Sequence, residues 1–495
     1  MAGDIVRALE RKARYPAGMA GYFAPIRGFE AYQNGTADSI AGLETPDDLT
    51  LVVRLDHVVG ALAYRFSFAA TAPIPEAADA EHLEGLLAAT GPYMIEGSGA
   101  IDPTASDDTR ASPSGLVLPE LKGSALVTPG SLTLVRNPSW DRSTDALRPA
   151  FPDIIEITLG GEPQQIAHRV DTGNLDLVFG ISSPAGQVAR YRSDPDLSGR
   201  LFVYPQDNEF AVTMNLAVPP FDDPYVRRAV NLAIDEKELV RMISHPPYGP
   251  DGASSGEVAT HMAPDALEGG LLATFDPYPH SEPRAEQQMS LSAYDRDGDG
   301  RCDARLCRGI PTLVWAFGVV PDQARAIARD LEPLGIRLDL ELIDVDTFFD
   351  WIVDPAQRIP IGIGWAWGSD VPVGDGWFSS LFDSRGLGEN NPNMLGASPS
   401  KLRRWGYSVT SVPNIDDRVQ ACAATVGSAQ EADCWAALDR YMMWQIVPWA
   451  PILRTTLSQV VSERVVDDSY SFDQFAGEPS LDRLALVSGS GSPGA

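Results

Sequence analysis

The chain has 495 residues, with 68 Asp and Glu against 38 Lys and Arg, and a formal net charge of -30. So large an acidic excess repels phosphate backbones and anionic lipid surfaces, and no basic run overrides it, which argues against nucleic acid as a partner. Hydrophobic residues make up 44% and charged residues 21%, the balance of a folded chain of roughly two to four domains rather than a disordered one.

The spacing of Ile5, Val6 and Leu9 predicts a helix over residues 4–11, and residues 50–54 read as a strand after an Asp47-Asp48 turn. A helical pattern runs over 76–89. Residues 131–137 and 154–159 alternate as strands, followed by a helix over 162–171 and a short apolar strand over 175–179. Strand, helix and strand in that order predict a parallel α/β layer. After a strand at 212–216, Pro219-Pro220-Phe221-Asp222-Asp223 forms a turn and cap for an amphipathic helix over 224–234. That helix places Val226, Ala229, Val230 and Ala233 inward, with Arg227 and Arg228 outside. Asp235 caps a further helix over 236–243. Residues 311–318, 322–334 and 336–343 predict a second strand, helix and strand unit. Residues 416–447 are helical with a break near Gly427, and 488–495 form a flexible tail. No run of about 18 apolar residues reads as a membrane span. The first fourteen residues lack the apolar centre of a secretory signal.

Three pairings are possible among Cys302, Cys307, Cys422 and Cys434. One reading is four independent buried thiols. The polar, glycine-rich and exposed setting of Cys302 favours the other, two local disulfides of Cys302 with Cys307 and Cys422 with Cys434, made in an oxidising compartment. In the same stretch Asp295, Asp297, Asp299 and Asp303 occupy positions one, three, five and nine of a loop with Gly300 at six. Alternate inward carboxylates and a glycine at the bend are the start of a calcium loop. Leu306 at position twelve replaces the bidentate Glu of an EF-hand, so the expectation is a weaker structural Ca²⁺ loop pinned by Cys302 and Cys307. A solvated acidic hairpin that binds nothing is the competing reading.

Residues 361–370 alternate small residues with Trp365 and Trp367 and end on Asp370, with Trp377 shortly after. An aromatic wall with one placed carboxylate is the makeup of a small-ligand pocket. The competing reading is that these Trp side chains only fill a core. The six His are scattered singly, and no GxSxG, HExxH, Walker phosphate loop or GxGxxG after a strand is present. Nothing supports an enzyme or a catalytic cofactor.

Several segments match one family in its own order: 4–11 (DIVRALER), 89–93 (ATGPY), 137–140 (NPSW), 153–177, 367–382, and most specifically 215–235 (NLAVPPFDDPYVRRAVNLAID). The chain resembles the extracellular solute-binding proteins of family 5, the oligopeptide- and dipeptide-binding components of ABC importers. The resemblance implies an α/β, two-lobed, periplasmic-binding-protein-like fold (class II, cluster C) with an extra domain. Residues 1–74 would be a remnant of the extra domain, 75–201 with 454–495 the first lobe, and 202–453 the second. Asp370 would pair with a ligand's α-amine, with Trp365, Trp367 and Trp377 beside it, looking into the cleft between the lobes. Gly364 stands where oligopeptide binders can carry an Arg that reaches a ligand carboxylate. Family members begin with a signal peptide, usually a lipoprotein one, and about a lobe's worth of strands before the helix that here begins at Asp4, so the chain is expected to be N-terminally truncated. The implied protein is an extracellular or periplasmic monomer, tethered to the membrane, that hands a peptide or similar polar solute to permease subunits. The alternative is a calcium-stabilised cell-surface sensor or adhesion module on the same fold. A hydrolase comes last, because no nucleophile and base can be named.

Overall fold

A computed structural model describes residues 1–15, 19–76, 90–100, 113–122, 125–178, 180–206, 208–243, 256–473, 475 and 477–487. The helix expected at 76–89, beyond its first residue, and the tail at 488–495 lie outside them.

The N-terminal segment folds around its own small core. Helix Ala2–Arg14 buries Leu9 and Ala13 against Phe23, Ile26, Phe29 and Ile40. Strands Leu43–Asp47 and Thr50–Val53 pair antiparallel. Their turn is closed by the Leu49 N–H donating to Asp47 Oδ1 at 2.9 Å, the local bond that suits Asp to turns. This segment carries Tyr22, His57 and Arg65 toward the site described below.

Next, strand Gly130–Arg136 pairs antiparallel with Tyr93–Ile95, Leu116–Val117 and Ile154–Leu159. The parallel unit expected here does not form. Helix Pro163–Asp171 is present, but residues 175–178 are not a strand. Leu175 and Val178 instead pack on Val170, Tyr191 and Val460, and the Asp176 carbonyl accepts singly from Ser462 N at 2.8 Å. A short apolar run reads the same whether it enters a ladder or simply lies on a core.

The central seven-stranded sheet contains β1 (Leu201–Pro205), β2 (Asn208–Met214), β3 (Gly256–Val258), β4 (Arg308–Trp315), β5 (Arg337–Ile343), β6 (Ile361–Gly368) and β7 (Trp449–Val460). Its order is β3-β7-β2-β6-β4-β5, with β1 paired to the far end of β7. β4 and β5 are parallel and joined by helix Val320–Leu331, whose Ala324, Ile327 and Leu331 are buried, as the sequence predicts. One face of the sheet buries Val212, Val314, Ile361 and Ile363. The other buries Ala211, Leu313, Trp365, Trp435 and Trp449.

Trp365 changes face because Ala211 pairs with Trp365 while Val212 pairs with Ile363, leaving Gly364 as the extra residue of a β-bulge. Such a bulge inverts the alternation of a strand. Gly364 has φ +99°, a conformation open to glycine.

Two expectations about exposure are corrected. Arg227 is buried at 2% exposure; its Nε donates to the Ile446 carbonyl at 2.8 Å and its Nη1 to the Phe221 carbonyl at 2.6 Å. A cation enters the core when its donors are met. Cys302 is buried rather than exposed, because its disulfide to Cys307 packs into the core beside Leu334 and Ile336. The second disulfide joins Cys422 to Cys434 across two successive helices. Among the described residues no helix is long and apolar enough to cross a membrane.

Candidate functional site

A cavity of about 1010 Å³ lies between the N-terminal segment and the aromatic end of β6. Tyr22, His57 and Arg65 line one side, and Phe349, Trp365, Trp367, Asp370, Asp375, Arg385 and Glu389 the other. The wall facing β6 is thus built by residues 20–65, in the stretch assigned to a remnant domain. Among the described residues, none of 75–201 lines it.

Phe349, Trp365 and Trp367 form a row. Phe349 and Trp365 have ring centroids 5.3 Å apart, and Trp365 stacks on Trp367 at 6.2 Å with planes 5° apart. The bulge at Gly364 turns this row into the cavity. Trp377 is not part of it: the side chain is fully buried, edge-on to Trp449 at 6.4 Å. Helix Gly374–Leu381 points that residue into the core. Nor is Gly364 a vestigial ligand position. A Cβ there would stand 2.7 Å from Val320 Cγ1 and 3.1 Å from Trp315 Cβ, so an arginine at this site has no room.

The charges sort into matched and unmatched. Arg65, 5% exposed, donates from Nη2 to Asp375 Oδ2 at 3.2 Å and from Nη1 to the Tyr22 carbonyl at 2.6 Å. Asp375 also accepts from Ser379 Oγ at 2.6 Å. Arg385 grips Asp383 through Nε at 2.8 Å and Nη2 at 2.6 Å, and its Nη1 meets His57 Nε2. Burial, reinforced by Arg385, holds the His57 pKa below its ordinary value. Both guanidinium groups are therefore neutralised by carboxylates of the protein itself.

Among the described residues no cation pairs with Asp370. The Tyr22 hydroxyl donates to its Oδ2, yet burial outweighs that bond and raises the carboxyl pKa above the ordinary 3.8. Burial and the Asp370 charge in turn push the Tyr22 hydroxyl up, which keeps it a donor. Glu389 is likewise raised, by burial and then by Glu30. The cavity is an aromatic slot with uncompensated negative charge, chemistry that favours a cation. Of the residues singled out from the sequence, Trp365, Trp367 and Asp370 line this cavity, together with Tyr22, His57, Arg65, Asp375, Arg385 and Glu389, which the sequence reading did not single out.

The acidic loop lies elsewhere. Asp295 accepts from Gly298 N and Gly300 N, both at 2.7 Å, and Asp303 from Arg296 N at 2.9 Å. Carboxylate oxygens of Asp295, Asp297 and Asp303 come within 4.8 Å of one another, without Asp299. The Asp299 N–H hydrogen bond favours the charged form of Asp297, but the carboxylates of Asp299 and Asp303 outweigh it and raise its pKa.

Residues 124–389, more than half of the chain, match the family described as bacterial extracellular solute-binding proteins, family 5 Middle. The glutathione-binding protein GsiB of Shigella flexneri serotype 5b (strain 8401) is 20% identical over 340 residues, 66% of this chain and 59% of that protein. Its namesake from Salmonella typhi is 22% identical over 319 residues, 62% of this chain and 54% of that protein. The chain thus spans less than two thirds of either relative. Among solved structures, clavulanic acid biosynthesis oligopeptide binding protein 2 superposes with a TM-score of 0.72 at 21% identity, over 98% of this chain and 80% of that one. OppA of Haemophilus influenzae in complex with RPPGFSPFR gives 0.62 at 16% identity, over 98% and 84%. At these identities the likeness establishes the fold, a two-lobed periplasmic-binding-protein-like α/β architecture.

Proposed function

Because the chain belongs to the bacterial extracellular solute-binding proteins of family 5, we propose that it is the substrate-binding component of an ABC importer and that its solute is a peptide, or a similar polar molecule, with a free amino group. The observation that carries this reading is the half-buried Asp370, unmatched by a cation among the described residues, at the end of the Trp365 and Trp367 wall. An ammonium group placed there gains a charge-assisted hydrogen bond where desolvation makes it worth most, and the indole faces add cation–π attraction. Among the described residues the buried indole N–H groups of Trp365 and Trp367 have no acceptor. Binding, closure and release to permease subunits outside the cytoplasm complete the proposed role, with no catalytic step.

The test is thermal unfolding with a panel of short peptides, glutathione among them because the relatives named above bear its name. A ligand at 100 times its Kd stabilises by about 2.7 kcal/mol, so free peptides are expected to raise the Tm. Their N-acetylated forms are expected to fall short. Equal shifts from both forms overturn the amine reading.

We further infer that the loop of Asp295, Asp297, Asp299 and Asp303 takes a structural Ca²⁺. A cation would relieve the mutual repulsion that raises Asp297, and extracellular calcium modules bind in the range of about 0.1–1 mM. Ten millimolar calcium is expected to raise the Tm by about 1–3 °C over the chelated protein. An unchanged Tm between calcium and EDTA removes the metal from this loop.

A further inference from the structure

The loop after β3 brings His261, Asp265 and Glu268 against Asp439 of helix Glu431–Tyr441, with Glu209 of β2 and Arg454 of β7 alongside. None of these six lines the cavity around Asp370. Glu209, His261, Glu268 and Asp439 are at most 1% exposed.

Arg454 is already committed: Nε to Glu209 and Nη1 to Asp265, each at 3.2 Å, and Nη2 to the Ala263 carbonyl at 2.7 Å. Two buried carboxylates remain beside one imidazole. Asp439 is held by the N–H groups of Met262 and Ala263 at 3.1 and 2.9 Å. Among the described residues no N–H or hydroxyl donor reaches either oxygen of Glu268, whose nearest polar neighbours are Asp439 and His261, a state that buried carboxylates rarely keep.

His261 Nε2 lies 3.1 Å from Asp265 Oδ1. A carboxylate on the far nitrogen is what orients a metal-bound imidazole. On the other side of the ring Nδ1 faces Asp439 Oδ2 at 3.3 Å, within reach of an Nδ1–H hydrogen bond, and Glu268 Oε2 at 3.7 Å, so an ion bound at Nδ1 would take the place of that proton. A tetrahedral ion with bonds of about 2.0–2.1 Å holds its ligand atoms about 3.3–3.4 Å apart. Arg454 Nη2 is 3.4 Å from both ring nitrogens, so it sits beside the ring and off the Nδ1 lone-pair axis.

We propose that His261, Glu268 and Asp439 form a structural site for a divalent transition ion of the zinc type, with Asp265 as its outer carboxylate. Imidazole with two carboxylates suits zinc better than calcium, and a dication offsets two of the three negative charges that the four carboxylates leave beyond Arg454. The ion would tie the loop after β3 to helix Glu431–Tyr441. Asp265, with a side chain 36% exposed, marks the way in.

The full chain, stripped with a zinc chelator, is titrated with CoCl2 alone and then with ZnCl2. The expected result is one cobalt per chain with the intense visible absorption of a four-coordinate ion, displaced by zinc. Glu268→Gln should weaken zinc binding at least 100-fold, and Asp265→Asn, at a half-open position, by about 10- to 100-fold. Asp297→Asn, in the other acidic loop, should leave it unchanged. Octahedral cobalt, or wild type and Glu268→Gln binding alike, overturns the site and leaves the cluster as an internally protonated ion network.

Discussion

Asn in place of Asp370 is expected to remove most of the stabilisation produced by amine-bearing peptides while leaving the fold intact. The Tyr22 hydroxyl donates to the Asp370 carboxylate, and an Asn carbonyl accepts that bond equally well. What is lost is charge. Removing one partner of a desolvated, hydrogen-bonded ion pair costs about 2–5 kcal/mol, at least roughly a 30-fold rise in Kd. The empty protein should not suffer. The pKa of Asp370 is raised in the fold, so its ionised form is less favourable there than in the unfolded chain, and a neutral isostere at pH 7 removes that penalty. The pH dependence has a definite sign. Binding needs the carboxylate, so affinity should fall as pH drops through the raised pKa of Asp370, beginning above the pH at which an ordinary Asp protonates. Isothermal titration of one free peptide across acid pH, on wild type and D370N, checks both claims. Equal affinities would take Asp370 out of the site.

That result would test the part of the site legible from sequence, and its legibility was local. Trp365, Trp367 and Asp370 lie within six residues, so composition alone places an aromatic wall and a carboxylate together. The facing wall was not legible. Tyr22 and Arg65 meet Asp370 and Asp375 across separations of 348 and 310 residues, and no periodicity in a single sequence encodes such pairings. Burial of polar groups was hidden for a related reason. Arg227 sits one position from Val226 in a helix with a well-formed apolar face, yet carbonyls from Phe221 and Ile446 draw it inward. His261 looked isolated because Asp265 and Glu268, four and seven residues on, are two acids among many, and the third carboxylate, Asp439, arrives from a helix far along the chain. The second strand, helix and strand unit was read correctly, because a twelve-residue helix with period-3.6 burial, Val320–Leu331, leaves little ambiguity. The first was not, since the five residues at 175–179 carry too little pattern to separate a ladder from a packed coil.

The bulge in β6 was the feature with the most structural leverage and the faintest signal, a glycine among glycines. Gly364→Val is expected to destabilise the protein by about 3 kcal/mol or more and to disturb the tryptophan wall together with the fold. Two effects add. A β-branched residue at φ +99° carries conformational strain of about 1–3 kcal/mol. Its Cβ would also stand 2.7 Å from Val320 Cγ1 and 3.1 Å from Trp315 Cβ, and overpacking of this kind costs about 1–3 kcal/mol more. The two separate experimentally. Gly309 has φ +72° and open space where a Cβ would go, so Gly309→Ala reports backbone strain alone. Gly364→Ala should exceed it by the clash with the Val320 helix. If β6 relieves the strain by losing its bulge, regular alternation would return Trp365 and Trp367 to the face of Ile361 and Ile363, away from Phe349 and the cavity. Near-ultraviolet dichroism and tryptophan fluorescence should then change well before global unfolding, and peptide binding should fall with them. Denaturant unfolding of the three variants within about 0.5 kcal/mol of wild type would show that neither the conformation of Gly364 nor its packing holds the wall in place.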